Sequence, residues 1–122
     1  MATTQVALSY PSGTNVFNET ALGATALSIK ASAGTLYYVY VDNSLNAAQV
    51  EYVKLYDTAG VVTVGTTAPD WIIRVAGAAV VNYPIPGGVA FAAGLQAACV
   101  TGAGTAGTTA PTSSVTARVV YS

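Results

Sequence analysis

The sequence predicts a single all-β domain, an antiparallel β-sandwich of about eight to ten short strands, jelly-roll-like or alternatively Ig-like. Three observations carry this prediction. Apolar residues recur in short runs with a period of two, clusters of Gly, Pro, Asn, Asp and Thr separate the runs, and no stretch keeps a 3.6-residue apolar period. A chain of 122 residues buries enough surface for one core and needs no second domain.

Taken in order, the runs are 5–9, 26–31, 35–41, 50–56, 61–64, 71–75, 78–83, 89–92, 95–101 and 114–121. The first 24 residues are the least patterned, and Tyr10-Pro11-Ser12-Gly13 breaks them early. Residues 1–24 therefore read as an N-terminal arm or loosely packed segment, and residues 25–122 as the sandwich. In the run 35–41, alternation puts Tyr37, Val39 and Val41 on one side and Leu36, Tyr38 and Tyr40 on the other. The next run sets Val53 and Leu55 against Tyr52, Lys54 and Tyr56, a face that reads as half wet because it carries a lysine and two phenolic tips.

Asp57-Thr58-Ala59-Gly60 reads as a hairpin-like connection, and Pro84-Ile85-Pro86-Gly87-Gly88 as a break, since proline removes a ladder donor and glycine adds freedom. Trp71, Ile73 and Val75 form a core stripe, as do Val115, Ala117, Val119 and Tyr121. Arg74 and Arg118 then point outward. Cys99, the only cysteine, excludes an internal disulfide and reads as an inward core thiol.

Charge separates the function classes. Charged residues make up 7% of the chain, against about 25% in ordinary globular proteins. The formal charge is only −1, and a surface so poor in charge favours association. Four basic residues, unclustered, do not make a phosphate-neutralising patch, so nucleic acid is not an expected partner. No apolar run reaches the roughly 18 residues of a membrane span, and Met1-Ala2-Thr3-Thr4-Gln5 has no signal-peptide character.

Catalytic chemistry finds little support. The chain has no histidine, which removes the Ser-His-Asp arrangement and histidine metal sites. A carboxylate pair such as Asp42 and Glu51 makes a glycosidase only inside a sugar cleft. Asp42-Asn43-Ser44-Leu45-Asn46 opens like a calcium loop, but Ala47 and Val53 stand where that loop needs its glycine and its glutamate, so it reads as a polar turn. Gly102-Ala103-Gly104-Thr105-Ala106-Gly107 matches G-x-G-x-x-G, yet it leads into Thr and Pro rather than a helix, and no acid follows Asp70. It reads as a flexible exposed loop. No enzyme activity, catalytic residue, metal or cofactor is expected. The residues that suit a protein interface are Tyr38, Tyr40, Tyr52, Tyr56, Arg74 and Arg118, which pair large rings with polar tips or guanidinium forks.

Residues 50–122 carry a resemblance. Its parts are Val53-Lys54-Leu55-Tyr56-Asp57, then Val64-Gly65-Thr66-Thr67-Ala68-Pro69 leading to Trp71-Ile72-Ile73-Arg74-Val75, then Pro84-Ile85-Pro86-Gly87-Gly88-Val89-Ala90-Phe91 with Gly94-Leu95. Cys99-Val100-Thr101-Gly102 and the Thr/Ala/Gly loop before residues 115–121 close it. In these pieces the chain resembles small virion proteins of tailed bacteriophages, of the capsid decoration or cement type. The resemblance implies a structural protein, made in the host cytoplasm, that sits on the capsid surface of the virion. It implies the major capsid protein or other virion proteins as partners, and a homo-oligomer, with a trimer favoured. A tail or fibre-base component, or a host-binding module, is the alternative it leaves.

Overall fold

The computed structural model describes residues 13–122. Eight strands make up the fold: β1 (Asn15–Glu19), β2 (Leu27–Lys30), β3 (Gly34–Asp42), β4 (Glu51–Tyr56), β5 (Trp71–Val75), β6 (Val80–Phe91), β7 (Leu95–Val100) and β8 (Thr116–Tyr121). They form two four-stranded sheets, ordered β1-β8-β3-β6 and β2-β7-β4-β5, and every pairing is antiparallel. The protein is an all-β sandwich, as the alternation predicts. Among the described residues no helix is long and apolar enough to cross a membrane. The expected strand 5–9 lies outside the described residues.

The core fills the space between the sheets. Val39 and Val41 of β3 and Ala117 and Val119 of β8 meet Val53 and Leu55 of β4 and Ala97 and Cys99 of β7. Each set is every second residue of its strand, which is why period-two alternation finds it. Trp71 and Ile73 join this core from β5 but stay half-buried, and only Val75 of that stripe is fully covered.

Two expected breaks behave differently from the prediction. The runs 78–83 and 89–92 are one strand, β6, which continues through Pro84 and Pro86. Pro84 faces Tyr38 and Val89 faces Leu36, so residues 85–88 stand opposite Tyr37 alone in a wide bulge. An outermost strand tolerates the missing proline donors, because one side of its backbone has no ladder to complete. Gly88 is required there: its φ is +75°, and a Cβ would lie 2.4 Å from the Thr35 methyl. The bulge also shifts the phase of β3. Leu36 therefore turns inward with Val39 and Val41, not outward with Tyr38 and Tyr40 as strict alternation expects.

The run 61–64 is not a strand. Thr66 and Thr67 both donate to the Thr63 carbonyl, the Thr63 N–H donates to Thr67 Oγ1, and Gly65 has φ +98°. This segment is a turn with no partner strand among the described residues.

The boundary expected after residue 24 is corrected for the described residues. β1 pairs with β8 from Asn15↔Tyr121 to Glu19↔Ala117, and Leu22 is buried in the core. Residues 15–24 thus belong to the sandwich.

Candidate interaction face

The outer faces of the two sheets differ, and the difference decides which tyrosines are available. On the outer face of the second sheet, the loops 58–67 and 101–109 form a third layer. Gln96 Nε2 donates to the Thr58 and Gly60 carbonyls at 3.1 and 2.6 Å. Lys54 Nζ donates to the carbonyls of Gly104 at 2.7 Å and Gly107 at 2.9 Å, with Thr105 at 3.4 Å. The two loops touch each other, since a Cβ on Gly65 would lie 2.4 Å from the Thr108 methyl.

Lys54 is consequently 0% exposed. Burial lowers its pKa, and three charge-assisted hydrogen bonds offset part of the desolvation. The half-wet face expected for Tyr52, Lys54 and Tyr56 is corrected accordingly. Tyr56 is buried, its hydroxyl has no hydrogen-bond partner among the described residues, and burial raises its pKa. It presents no surface to a partner. The Gly102–Gly107 segment is a loop exposed at residues 103–106, as expected; it turns its carbonyls onto the Lys54 ammonium, and no helix follows it.

Tyr52 and Arg74 face each other across β4 and β5 at the rim of this loop layer. Arg74 is exposed and Tyr52 half-buried.

The outer face of the first sheet has no such cover among the described residues. Register places Asn18, Arg118, Tyr40 and Asn82 in one row across β1, β8, β3 and β6, and Val16, Val120, Tyr38 and Pro84 in the next. The Arg118 guanidinium lies 5.0 Å from the Tyr40 ring centroid, within cation–π range, and its Nε donates to Asn18 Oδ1 at 3.1 Å. The Tyr38 hydroxyl donates to Asn82 Oδ1. Beside this row, Asp42 accepts the Ser44 N–H at 2.9 Å. Bonds from Ser44 hold its carboxyl below the usual carboxylate range, and a bond from Tyr40 and the Arg118 charge lower it further.

The structure therefore brings together Tyr38, Tyr40 and Arg118, sets Tyr52 and Arg74 side by side on the opposite sheet, and buries Tyr56. Sequence reasoning missed Asn18 and Asn82. Their signal is register, which appears only once β1 is paired with β8 and β6 with β3.

The remaining polar clusters serve the fold. Asp42 to Asn46 is a polar turn, as expected. Asn43 Nδ2 donates to the Gln49 and Ala76 carbonyls at 2.9 and 3.1 Å, and Asn46 exchanges hydrogen bonds with the Ser113 backbone at 3.0 and 2.8 Å. Glu51 points between the sheets, away from Asp42, so the two do not form a carboxylate pair. Among the described residues its polar partner is the Cys99 thiol, which donates at 3.9 Å to Oε2, while Oε1 has none. Burial raises the Glu51 pKa, and burial together with the Glu51 charge pushes the Cys99 thiol up to about 12. Cys99 is an inert core thiol in this setting. Among the described residues no group of three or more His, Cys, Asp or Glu is placed to hold a metal ion. No family model matches the chain, and neither a curated protein nor a solved structure matches it.

Proposed function

We propose that the chain is a non-enzymatic structural virion protein that binds the outer surface of a phage capsid and stabilises it. The assignment to phage comes from the resemblance over residues 50–122. The observation that carries a docking role is the outer face of the first sheet, where Tyr38, Tyr40 and Arg118 are held in fixed positions by ring stacking and cross-strand hydrogen bonds. Fixed aromatic and guanidinium groups lose little side-chain entropy on binding, which suits them as anchors. The low charge of the chain fits a surface that works under cover of neighbours. Copies seated across joints between capsomers would add buried area there, and several weak contacts per particle would supply avidity without new chemistry.

Mixing the purified protein with bare tailed-phage capsids tests the reading. Binding and a gain in capsid heat resistance are expected, and Tyr40→Ala with Arg118→Glu should weaken binding about tenfold or more while leaving the fold intact. Failure to bind bare capsids ends this reading. The half-exposed rings of Tyr38 and Tyr40 also favour a second one, a tail or host-binding component whose tyrosines stack on sugar. Copies found only at the tail in electron cryomicroscopy, with glycan binding lost in Tyr40→Ala, would select it.

A further inference from the structure

Among the described residues the sandwich is open along one flank. β5 pairs only with β4 and β6 only with β3, and these two outermost strands lie on the same side of the molecule. Between them runs an apolar groove of about 400 Å³, with Leu36 and Leu55 on its floor, Trp71 and Ile73 along one wall and Ile85 and Val89 along the other.

The two edges are not equivalent as templates. β6 carries Pro84, Pro86 and the Gly87-Gly88 bulge, features that blunt an edge against strand addition. Trp71-Ile72-Ile73-Arg74-Val75 contains neither proline nor glycine and has a regular register with β4. β5 is therefore the edge that accepts a further strand.

Its own side chains say which strand fits. The outward row of this edge is Asp70, Ile72 and Arg74, all exposed, while Trp71, Ile73 and Val75 turn toward the interior. An acid and a base thus stand two positions either side of Ile72, which is 44% exposed. That spacing is self-complementary. When a second β5 lies antiparallel beside the first on a two-fold axis through Ile72, each Asp70 faces Arg74 of the second copy, Ile72 meets its counterpart, and Trp71 stands opposite Ile73 of the second copy on the inner side. Neighbouring registers lose this match. An axis through Ile73 sets Arg74 against Ile72, one through Arg74 sets the two guanidinium groups against each other, and one through Trp71 draws Pro69 into the ladder. We infer that a second copy of this chain pairs with β5 across the Ile72 axis, so that the two second sheets join into one and each copy's groove is closed by Trp71 and Ile73 of the other.

Backbone pairing and the apolar contacts supply the binding, and the charges fix the register, because exposed ion pairs add little affinity while like charges set face to face exclude a wrong partner. Asp70 is anchored for this role: its Oδ2 accepts the Asp57 N–H at 2.7 Å, which holds the carboxylate at the head of β5. The pairing stands apart from the capsid reading, and it makes twos, not the trimer that the phage resemblance favours.

Light scattering on the full chain should give twice the 12.2 kDa of one chain. Arg74→Asp sets Asp70 against a second carboxylate, and Asp70→Arg sets Arg74 against a second guanidinium. Each variant alone should return a single-chain mass, with unchanged far-ultraviolet dichroism and a red-shifted emission from Trp71, the only tryptophan. Mixed together, the two variants regain both opposite-charge pairs across the axis, and the two-chain mass should return. Ile72→Cys in the otherwise unaltered chain sets the two introduced thiols opposite each other, so mild oxidation should give a disulfide-linked pair while Cys99 stays buried. A single-chain mass for the full protein overturns the pairing, as does a mass of three or more chains. A two-chain mass that survives Arg74→Asp places the contact elsewhere and overturns it too, and so does failure of the two folded variants to combine. Should either variant lose its dichroism, the Ile72→Cys chain decides, and absence of a linked pair on oxidation overturns the inference. Capsid binding is read separately on bare capsids, so failure of one proposal leaves the other standing.

Discussion

The two flanks of the sandwich enclose the same apolar interior and end it differently. At the β1/β2 flank, residues 20–26 cross between the sheets and bury Leu22 in the core. The Leu22 N–H donates to the Val115 carbonyl at 2.9 Å, and the Gly23 carbonyl accepts the Cys99 N–H at 2.8 Å, so this connection also completes backbone pairing. At the β5/β6 flank, residues 76–79 make a tight turn, with the Ala79 N–H donating to the Ala76 carbonyl at 3.2 Å and Ala78 at a φ of 60°. A turn that short leaves no side chain to lay over the gap. The flanks show that closure here depends on connection length and content, not on the strands, whose inward stripes are equally apolar.

Unplugging the closed flank should have the largest effect. Leu22→Ala removes a fully buried side chain from a site fixed by backbone bonds on both sides, so the cavity has little room to collapse. The expected loss is about 2–5 kcal/mol, read as a shift of the urea midpoint. A loss below about 1 kcal/mol would mean that the closed flank packs as loosely as the open one.

A smaller effect of opposite sign should come from the polar point inside the shared interior. Glu51 is 0% exposed, with one carboxyl oxygen unpartnered among the described residues. Glu51→Met keeps the side-chain shape and removes the orphaned acceptor, which should stabilise the protein by about 1–3 kcal/mol. The pH dependence has a definite sign. Burial raises the folded-state pKa above its ordinary 4.5, so the carboxyl's contribution is fully present below pH 4.5 and is lost as pH rises through the folded value. Asp42 and Asp57 act in the other window, because their lowered pKa values make stability fall as pH drops below 3.8. For Asp57 the cause is its carboxylate capping the Ala92 and Ala93 N–H groups at 2.8 and 2.9 Å. Thermal melts from pH 3 to 8 should therefore peak on the acid side of neutrality, and Glu51→Gln should flatten only the limb above pH 4.5. An unchanged upper limb would show that Glu51 is solvated.

Much of this contrast was legible in the sequence wherever the period of two runs uninterrupted. β4, β5, β7 and β8 fall where alternation puts them, and the inward stripes of β4 and β8 are the ones observed. β1 escaped because Val16 and Phe17 are its only large apolar residues and its identity as a strand depends on β8, a hundred residues away. β6 was split because Pro and Gly read as punctuation, and only an outer position makes them tolerable within a strand. The loop layer over Lys54 and Tyr56 left no trace, since Gly, Ala and Thr carry no periodicity and the lysine's acceptors are main-chain carbonyls. On the candidate face, the outward phase of Tyr38 and Tyr40 was readable, while their union with Arg118 needed the β3–β8 register.

The smallest effect belongs to the open flank itself. Ile85 is half-buried against the groove, so Ile85→Ala in the free chain should cost about 1 kcal/mol or less, a transfer loss with no sealed cavity behind it. Its value lies in how it changes with protein concentration. Association that fills the groove stabilises the folded state by mass action, and Ile85→Ala weakens that association as well as the fold. The cost measured at high concentration should then exceed the cost at low concentration, whereas the cost of Leu22→Ala, sealed within one chain, should stay constant. Equal behaviour at both concentrations would make the groove a surface feature with no occupant. Divergence of the two would show that one flank is closed by its own connection and the other by a neighbour.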